Sequence, residues 1–272
     1  MRDDLIIATV VAIDSERRQR NYDFLKRYYV DNNLPHVFLE YSDSSYLHLQ
    51  KIYNDFYKSN KEKILFKHDV DCILNIESIK KGYDLCSADK NNFVYPYDHV
   101  SFIDPMEYKP NFNEYQQVES FNRKNDGYEV ETSYWPDWLT LEMMANSIMG
   151  EQRHLPALSH TNFKDMNYQS PVGYCYMFNF EGYNKGGLDN EYLLDFNFDD
   201  LERYHRLRTL GYNIIQLPGK IYHMDHSFNK NGTRVRTRDY MIQNIFEYLK
   251  IANLNKKELQ LYIETWPWTL KN

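Results

Sequence analysis

The chain has 272 residues, a formal net charge of −7 and three cysteines. A chain of this length makes one large domain or two small ones, and it can bury a sizeable core without stapling by disulfides or metals. The odd number of cysteines, without a CxxC pair, excludes a disulfide framework and a cysteine-based zinc module, and the acidic balance argues against a broad nucleic-acid surface.

No stretch of the sequence approaches the roughly 18–20 consecutive apolar residues of a membrane span. The N-terminal sequence MRDDLIIATVV carries acids before a short apolar run, unlike a signal peptide. We therefore expect a soluble, cytoplasmic protein with no transmembrane segment and no nucleic-acid partner.

Strand and helix patterns alternate over the first hundred residues. Leu5–Ile13 is a continuous apolar run, which predicts a strand buried on both faces, and Ser15 follows as a helix N-cap. The further elements predicted here are a helix over 17–29, a strand over 36–41, a helix over 46–57, a strand from 64, a helix over 76–85 and a strand over 92–95. This alternation predicts an α/β fold with a mostly parallel central sheet flanked by helices.

The pattern breaks down over residues 105–170, which predicts an irregular insertion or lid containing one helix over 138–149. Order returns after it. The elements predicted there are a strand over 172–180, a helix over 199–210, a strand over 213–217 and closing helices over 236–251 and 256–264. Because no flexible linker is visible, we expect a single domain over 1–272 with two halves around the insertion.

Two carboxylates, Asp69 and Asp71, follow the predicted strand that begins at residue 64. Ligands of parallel sheets bind beyond the carboxyl ends of strands, and close carboxylates there repel each other unless a cation is bound. Hard oxygen ligands suit Mg²⁺ or Mn²⁺, which keep open positions for phosphate oxygens. The alternative is a turn whose acids cap the next helix.

His223 and His226 stand three residues apart, in what we predict to be a loop after the strand and turn near Leu217. Neutral imidazole is a good ligand for Mn²⁺ and other transition metals. A distant carboxylate and a histidine of this loop could therefore meet on one ion. A purely structural histidine pair is the alternative.

Gly186 and Gly187 permit either close approach to a ligand or an unusual turn. Farther along, Asp199 and Asp200 start a predicted helix, where the helix dipole favours negative charge. These acids either cap the helix, or act as a general base and accept hydrogen bonds from the hydroxyls of a sugar. Because adjacent helical residues do not share a face, we expect the two aspartates to point apart.

Taken in order, these motifs resemble those of GT-A-fold glycosyltransferases of the β-1,4-galactosyltransferase and chondroitin-polymerase type. Six family elements have counterparts here, in the same order. They are F-x-x-D-V-D at 66–71, Y-P-Y-D at 95–98, G-G-F-D-E at 186–191, W-G-x-E-D with a following R-L at 196–207, G-Y-x-I at 211–214 and Y-H-x-x-H at 222–226. The resemblance covers about residues 5–100 and 171–232. Three departures are visible: Phe196-Asn197 replaces Trp-Gly, Asp199 stands where Glu is usual, and the family's proline and basic residue after the first strand are absent.

The resemblance implies a Rossmann-like GT-A domain, with a nucleotide-binding half over 1–104 and an acceptor-side half with closing helices over 171–272. It also implies a metal-dependent, inverting transfer from a UDP-sugar, of the galactose or N-acetylhexosamine type, to a carbohydrate hydroxyl, in polysaccharide biosynthesis. The implied cofactor is Mn²⁺, or Mg²⁺. The implied partners are the UDP-sugar donor and a carbohydrate or glycoconjugate acceptor.

Each implied role belongs to particular positions of this sequence. Asp71 and His226 hold the metal, with His223 as a further ligand, and Asp200 is the general base. The remaining implied site residues are Ile13, Asp14, Arg17 and Glu40 around the nucleobase, Asp69 at the ribose or diphosphate, and Gly186, Gly187 and Asp199 at the sugar or acceptor.

Two other functions are compatible with parts of this pattern. A nucleotidyltransferase can share the fold and the carboxylate–metal chemistry, but it usually grips a triphosphate with a glycine-rich basic loop after the first strand. The segment 12–16 is acidic and contains no glycine. A non-catalytic carbohydrate-binding protein with a decayed site is the other alternative, and the loss of Trp-Gly is the feature that favours it.

Overall fold

The computed structural model describes residues 4–13, 15–41, 48–103, 117–118, 173–194, 198–224 and 238–270. The strands in these ranges are β1 (Leu5–Val11), β2 (His36–Glu40), β3 (Ile64–His68), β4 (Cys72–Leu74), β5 (Asn92–Tyr95), β6 (His99–Ile103), β7 (Gln117–Val118), β8 (Cys175–Asn179), β9 (Asn213–Gln216) and β10 (Lys220–Met224). The helices are α1 (Glu16–Asp31), α2 (Leu49–Lys58), α3 (Ile76–Ala88), α4 (Phe180–Lys185), α5 (Asp199–Leu210), α6 (Arg238–Ala252) and α7 (Lys256–Ile263).

Six strands form the larger sheet, in the order β2-β1-β3-β8-β5-β9. Strand β1 runs parallel to β2 and β3, and β5 runs parallel to β9. Only β8 is antiparallel to its neighbours, β3 and β5. The predicted α/β fold with a mostly parallel central sheet is therefore confirmed.

The apolar runs of the first half form the centre of this sheet. All five residues of β3 are buried, and so are six of the seven in β1, as expected for strands covered on both faces. Helix α1 begins where predicted, because the Ser15 side chain accepts a hydrogen bond from the Arg18 backbone N–H at 3.3 Å. The parallel strands β1, β2 and β3 thus end at one edge of the sheet.

A second sheet, β4-β10-β6-β7, was not predicted from the sequence. The prediction of a loop around His223 is wrong, because that residue lies on β10, which pairs antiparallel with β4 and parallel with β6. Strand β4 has only three residues, too few to show a periodic pattern. The predicted insertion over 105–170, including its helix, lies outside the described residues except for β7, which pairs with β6.

The Gly186-Gly187 turn is packed against the C-terminal end of the described chain. Gly187 has a φ of 97°, and a Cβ built on it would lie 2.6 Å from Cζ3 of Trp266, whose side chain is fully buried. The Trp268 indole donates a hydrogen bond to the Gly187 carbonyl at 3.0 Å. This close approach requires glycine at position 187.

Three buried polar side chains contact one another between α1 and the larger sheet. The Thr9 hydroxyl lies 3.0 Å from the Tyr29 hydroxyl, which in turn contacts Nδ1 of the fully buried His68. Nε2 of His68 has no hydrogen-bond partner among the described residues. Burial, helped by the positive charge of Lys67, lowers the pKa of His68 to about 3.

Within the described ranges, no helix combines the length and apolarity needed to span a membrane.

The substitution Gly187→Ala should destabilise the protein more than Gly211→Ala. Both glycines have similar left-handed backbones, with φ of 97° and 91°, but a Cβ at Gly211 meets only the flexible tip of Lys256, at 3.3 Å. We expect a loss of about 1–2 kcal/mol at Gly211 from backbone strain, and about 1–3 kcal/mol more at Gly187 from overpacking. Urea unfolding of both variants measures this difference, and equal losses would contradict the packing of Trp266 on the turn.

The His68 imidazole should make the folded state lose stability as pH falls. Between the folded pKa of about 3 and the unfolded value near 6.5, only the unfolded chain binds the proton, so stability present above about pH 6.5 is lost on acidification. At about 1.4 kcal/mol per pKa unit, wild type should lose about 2 kcal/mol more than His68→Gln between pH 7 and pH 5. Denaturant unfolding at both pH values measures the difference.

The matched control for this pH experiment is His99→Gln, which removes an imidazole whose side chain is largely exposed. This variant shows how much of the pH effect any histidine substitution causes. Equal losses for wild type and His68→Gln would show that the buried imidazole accepts a proton in the folded state.

Candidate functional site

The carboxyl edge of the parallel strands gathers most of the donor-side residues predicted from the sequence. Ile13 follows β1, Glu40 ends β2, and Arg17 lies in the first turn of α1. Ile13 and Glu40 are exposed at this edge. Asp69 and Asp71 follow β3 at the same edge, and Asp14 lies outside the described residues.

Asp71 and His223 meet although they are far apart in the sequence. Their side chains approach to 3.7 Å between Oδ1 and Nε2. The backbone explains the meeting, since Met224 N–H donates to the Asp71 carbonyl at 2.6 Å and His223 pairs directly with Cys72 across β4 and β10. His226, the other predicted ligand, lies outside the described residues, and its role stays a prediction.

Asp71, Cys72 and His223 offer one ligand atom each, and these three atoms lie within 4.8 Å of one another. All three residues are buried, and the edge of the Tyr174 ring packs against the His223 imidazole with centroids 4.9 Å apart. A carboxylate, an imidazole and a thiol are ligands of divalent transition metals. This donor set therefore fits a divalent cation.

Lys67 is a buried cation that sequence reasoning did not single out. Its Nζ lies 2.5 Å from Asp69 Oδ1 and donates a hydrogen bond to the Gly173 carbonyl at 2.7 Å. Burial alone would lower the pKa of Lys67, but the Asp69 carboxylate raises it above its ordinary value. Lys67 is therefore charged, and it connects the acids after β3 to the backbone before β8.

The carboxyl of Asp69 is held in a crowded acidic setting. Burial raises its pKa to about 7, and the charges of Asp71 and Asp200 act in the same direction while Lys67 opposes them. The Asp69 backbone N–H donates to the Tyr174 carbonyl at 3.0 Å. The Asp69 side chain is 32% exposed, so a ligand at this edge can reach it.

Asp200 lies on the other side of Gly173. A Cβ at Gly173 would come within 1.8 Å of Asp200 Oδ1, so the carboxylate fits only because residue 173 has no side chain. The same oxygen accepts a hydrogen bond from Arg203 Nη1 at 3.0 Å, and the Asp200 side chain remains 31% exposed. Asp69, Lys67, Gly173 and Asp200 thus form one continuous chain of contacts.

The expectation that Asp199 and Asp200 point apart is wrong. Arg203, three and four residues later on α5, donates to both carboxylates, at 3.0 Å from Asp200 and 3.2 Å from Asp199. Burial and the charge of Asp200 raise the pKa of Asp199 to about 6. The sequence does contain a signal for Arg203: it stands four residues after Asp199 and three after Asp200, and residues at these spacings are neighbours on a helix surface.

Arg203 also connects these acids to a buried network. Its Nε donates to Asp189 Oδ1 at 3.2 Å, and its guanidinium lies 4.3 Å from the centroid of the Tyr176 ring. Asp189 accepts further hydrogen bonds from the hydroxyls of Tyr183, at 2.7 Å, and Tyr176, at 3.2 Å. The guanidinium is therefore held rigidly where it meets Asp200.

Gly186 and Gly187, predicted at the sugar or acceptor, occupy a packed region. The Gly186 carbonyl accepts a hydrogen bond from the buried Arg206, and Gly187 lies under Trp266. Both glycines are buried. The contacts described for them are packing contacts, and sugar binding by either stays a prediction.

No protein-family model matches the chain, and the comparison with curated proteins gives no match. Among solved structures, a crystal structure of GalNAc-T7 with UDP, GalNAc and Mn²⁺ is similar, with a TM-score of 0.50 and 13% sequence identity. The similarity covers 97% of this chain and 46% of that chain, so this chain spans about half the length of that protein.

Two crystal structures of Drosophila β1,4-galactosyltransferase 7 also match. One is of a mutant in complex with manganese, UDP-Gal and xylobiose, and the other is of the catalytic domain with xylobiose. Their TM-scores are 0.48 and 0.47, both at 11% sequence identity. Each similarity covers 88% of this chain and 79% of the galactosyltransferase chain. The similarity to GalNAc-T7, at 13% sequence identity, concerns the fold. Together with the order of the strands and helices, it identifies the fold of this chain as that of the GT-A glycosyltransferases.

Proposed function

We propose that this protein is a metal-dependent glycosyltransferase that moves a sugar from a UDP-sugar to a carbohydrate hydroxyl with inversion. One observation carries the proposal: Asp71 and His223 converge to 3.7 Å beside the carboxyl edge of a GT-A sheet. The structural similarity to GalNAc-T7, crystallised with UDP, GalNAc and Mn²⁺, supports it. The galactose or N-acetylhexosamine type of donor is part of the proposal.

The donor side of the site is built around the acids after β3. A divalent cation, Mn²⁺ or Mg²⁺, held by Asp71 and His223 with His226 as a further ligand, would neutralise charge on the leaving UDP. Asp69 binds the ribose or the diphosphate, and Lys67 holds its carboxylate in place. The nucleobase lies against the residues that follow β1 and β2, namely Ile13, Asp14, Arg17 and Glu40.

The acceptor side is built around Asp200. A carboxylate can take the proton of an acceptor hydroxyl when it lies within about 3 Å of it. Asp200 is in the first turn of α5, where free N–H groups and the helix dipole interact favourably with negative charge. Arg203 holds one carboxylate oxygen, which leaves the other for the hydroxyl. Asp199 binds sugar hydroxyls from the neighbouring position.

The first experiment measures thermal unfolding with UDP, with and without Mn²⁺. A ligand at 100 times its dissociation constant adds about 2.7 kcal/mol to stability. We expect UDP to raise the melting temperature more when Mn²⁺ is present, and Asp71→Asn to abolish the metal-dependent part. A screen of UDP-Gal, UDP-GalNAc, UDP-Glc and UDP-GlcNAc for hydrolysis then identifies the donor. No stabilisation by UDP under any of these conditions would contradict the proposal.

The substitution Asp200→Asn should lower turnover by about 10²–10⁴-fold, the usual effect of losing a general base, while UDP binding is largely kept. The asparagine oxygen can still accept the Arg203 hydrogen bond but carries no charge, so stability should fall by about 1 kcal/mol. Steady-state transfer kinetics and UDP titration measure the two effects.

Asp199→Asn is the matched control, because Asp199 occupies the same helical turn and contacts the same guanidinium. It should change the apparent affinity for the sugar and keep turnover within about tenfold of wild type, because the base remains. Near wild-type transfer by Asp200→Asn would remove Asp200 from the mechanism. UDP binding without any turnover in wild type would instead indicate a carbohydrate-binding protein.

A further inference from the structure

The strand register places a thiol beside the two metal-binding side chains. Cys72 and His223 are direct partners in the antiparallel pair of β4 and β10. Directly opposed residues of an antiparallel pair project to the same face, with Cβ atoms about 4.5–5.5 Å apart. The register therefore brings the Cys72 thiol next to the His223 imidazole.

The three donor atoms lie close enough to one another to share one ion. Cys72 Sγ lies 3.6 Å from Asp71 Oδ1, which lies 3.7 Å from His223 Nε2, and all three atoms lie within 4.8 Å of one another. Tetrahedral bonds of about 2.3 Å to sulfur and about 2.0–2.1 Å to oxygen and nitrogen separate ligand atoms by about 3.4–3.6 Å. Small shifts of these side chains would therefore bring all three onto one ion.

We propose that Cys72 binds the metal beside Asp71 and His223, and that this thiolate makes the site bind Zn²⁺ or Co²⁺ more tightly than the Mn²⁺ or Mg²⁺ of the proposed function. The inference rests on the proposed function, which assigns Asp71 and His223 to a metal. Thiolate is a soft ligand that favours zinc-like ions, whereas hard oxygen ligands favour Mg²⁺ and Mn²⁺. As the sulfur–metal bond forms, the thiol proton passes to solvent, and no electron is transferred.

The test is a titration of the metal-free full chain with Co²⁺, followed by absorption spectroscopy. A cysteine thiolate on Co²⁺ gives a near-ultraviolet sulfur-to-cobalt charge-transfer band that oxygen and nitrogen ligands do not give. We expect this band to reach its maximum at one equivalent and Zn²⁺ to abolish it in competition. Mn²⁺ and Mg²⁺ should compete at least tenfold more weakly than Zn²⁺.

Two variants separate Cys72 from the other buried cysteines. Cys72→Ser should lose the band and bind Zn²⁺ at least tenfold more weakly, with circular dichroism reporting whether the variant is folded. Cys86→Ala is the matched control, since Cys86 is also buried but its thiol lies 4.0 Å from the Asn92 carbonyl and is not part of the Asp71, Cys72 and His223 cluster. It should keep the band and the wild-type affinity.

X-ray absorption of the wild-type Zn²⁺ protein tests the ligand without any substitution, because one sulfur neighbour at about 2.3 Å is expected. Cobalt bound without the charge-transfer band, or zinc without a sulfur neighbour, would overturn the role of Cys72. These outcomes are independent of sugar transfer. A sulfur-ligated metal in a protein that neither binds UDP nor turns over a UDP-sugar would contradict the proposed function and leave the ligand assignment standing.

Discussion

The whole site depends on keeping several partly buried carboxylates close together. Buried charges of one sign are unfavourable unless cations or hydrogen bonds compensate them. The buried ammonium of Lys67 provides that compensation after β3, where it contacts Asp69 and the Gly173 carbonyl. Without it, the acids at this edge would repel one another and the segment before β8 would lose its anchor. The contacts of Lys67 therefore join the segment after β3 to the segment before β8.

Arg203 meets the same requirement at the start of α5. It contacts Asp189, Asp199 and Asp200 at once, and its guanidinium also stacks over Tyr176. A planar guanidinium offers five donors in a fixed fork, which an ammonium cannot replace. The acids at the helix start are thus held by a side chain whose own position is fixed from four directions. This rigidity is what a general base needs if it is to meet a hydroxyl in one geometry.

Much of the larger sheet could be predicted because its signals are local. The apolar runs of β1 and β3, the Ser15 N-cap and the acids at the start of α5 are each visible within one short segment. The smaller sheet could not be predicted, since β4 has three residues and acquires its partner from the far end of the chain. Lys67 was missed for a related reason. A lysine inside a strand pattern normally indicates a solvent-facing position, and two of its contacts here, the Gly173 carbonyl and the Tyr176 ring, come from distant parts of the sequence.

The candidate metal site is consequently a property of strand register as much as of residue type. A shift of one residue between paired strands moves every side chain to the opposite face. Such a shift of β10 would place Tyr222 where His223 now lies, and the imidazole would turn away from Asp71. The hydrogen bond from Met224 N–H to the Asp71 carbonyl, at 2.6 Å, holds β10 in the observed register. On its other side, β10 is paired with β6 over five residues. The smaller sheet therefore fixes the position of His223 although its strands are short and show no long apolar pattern.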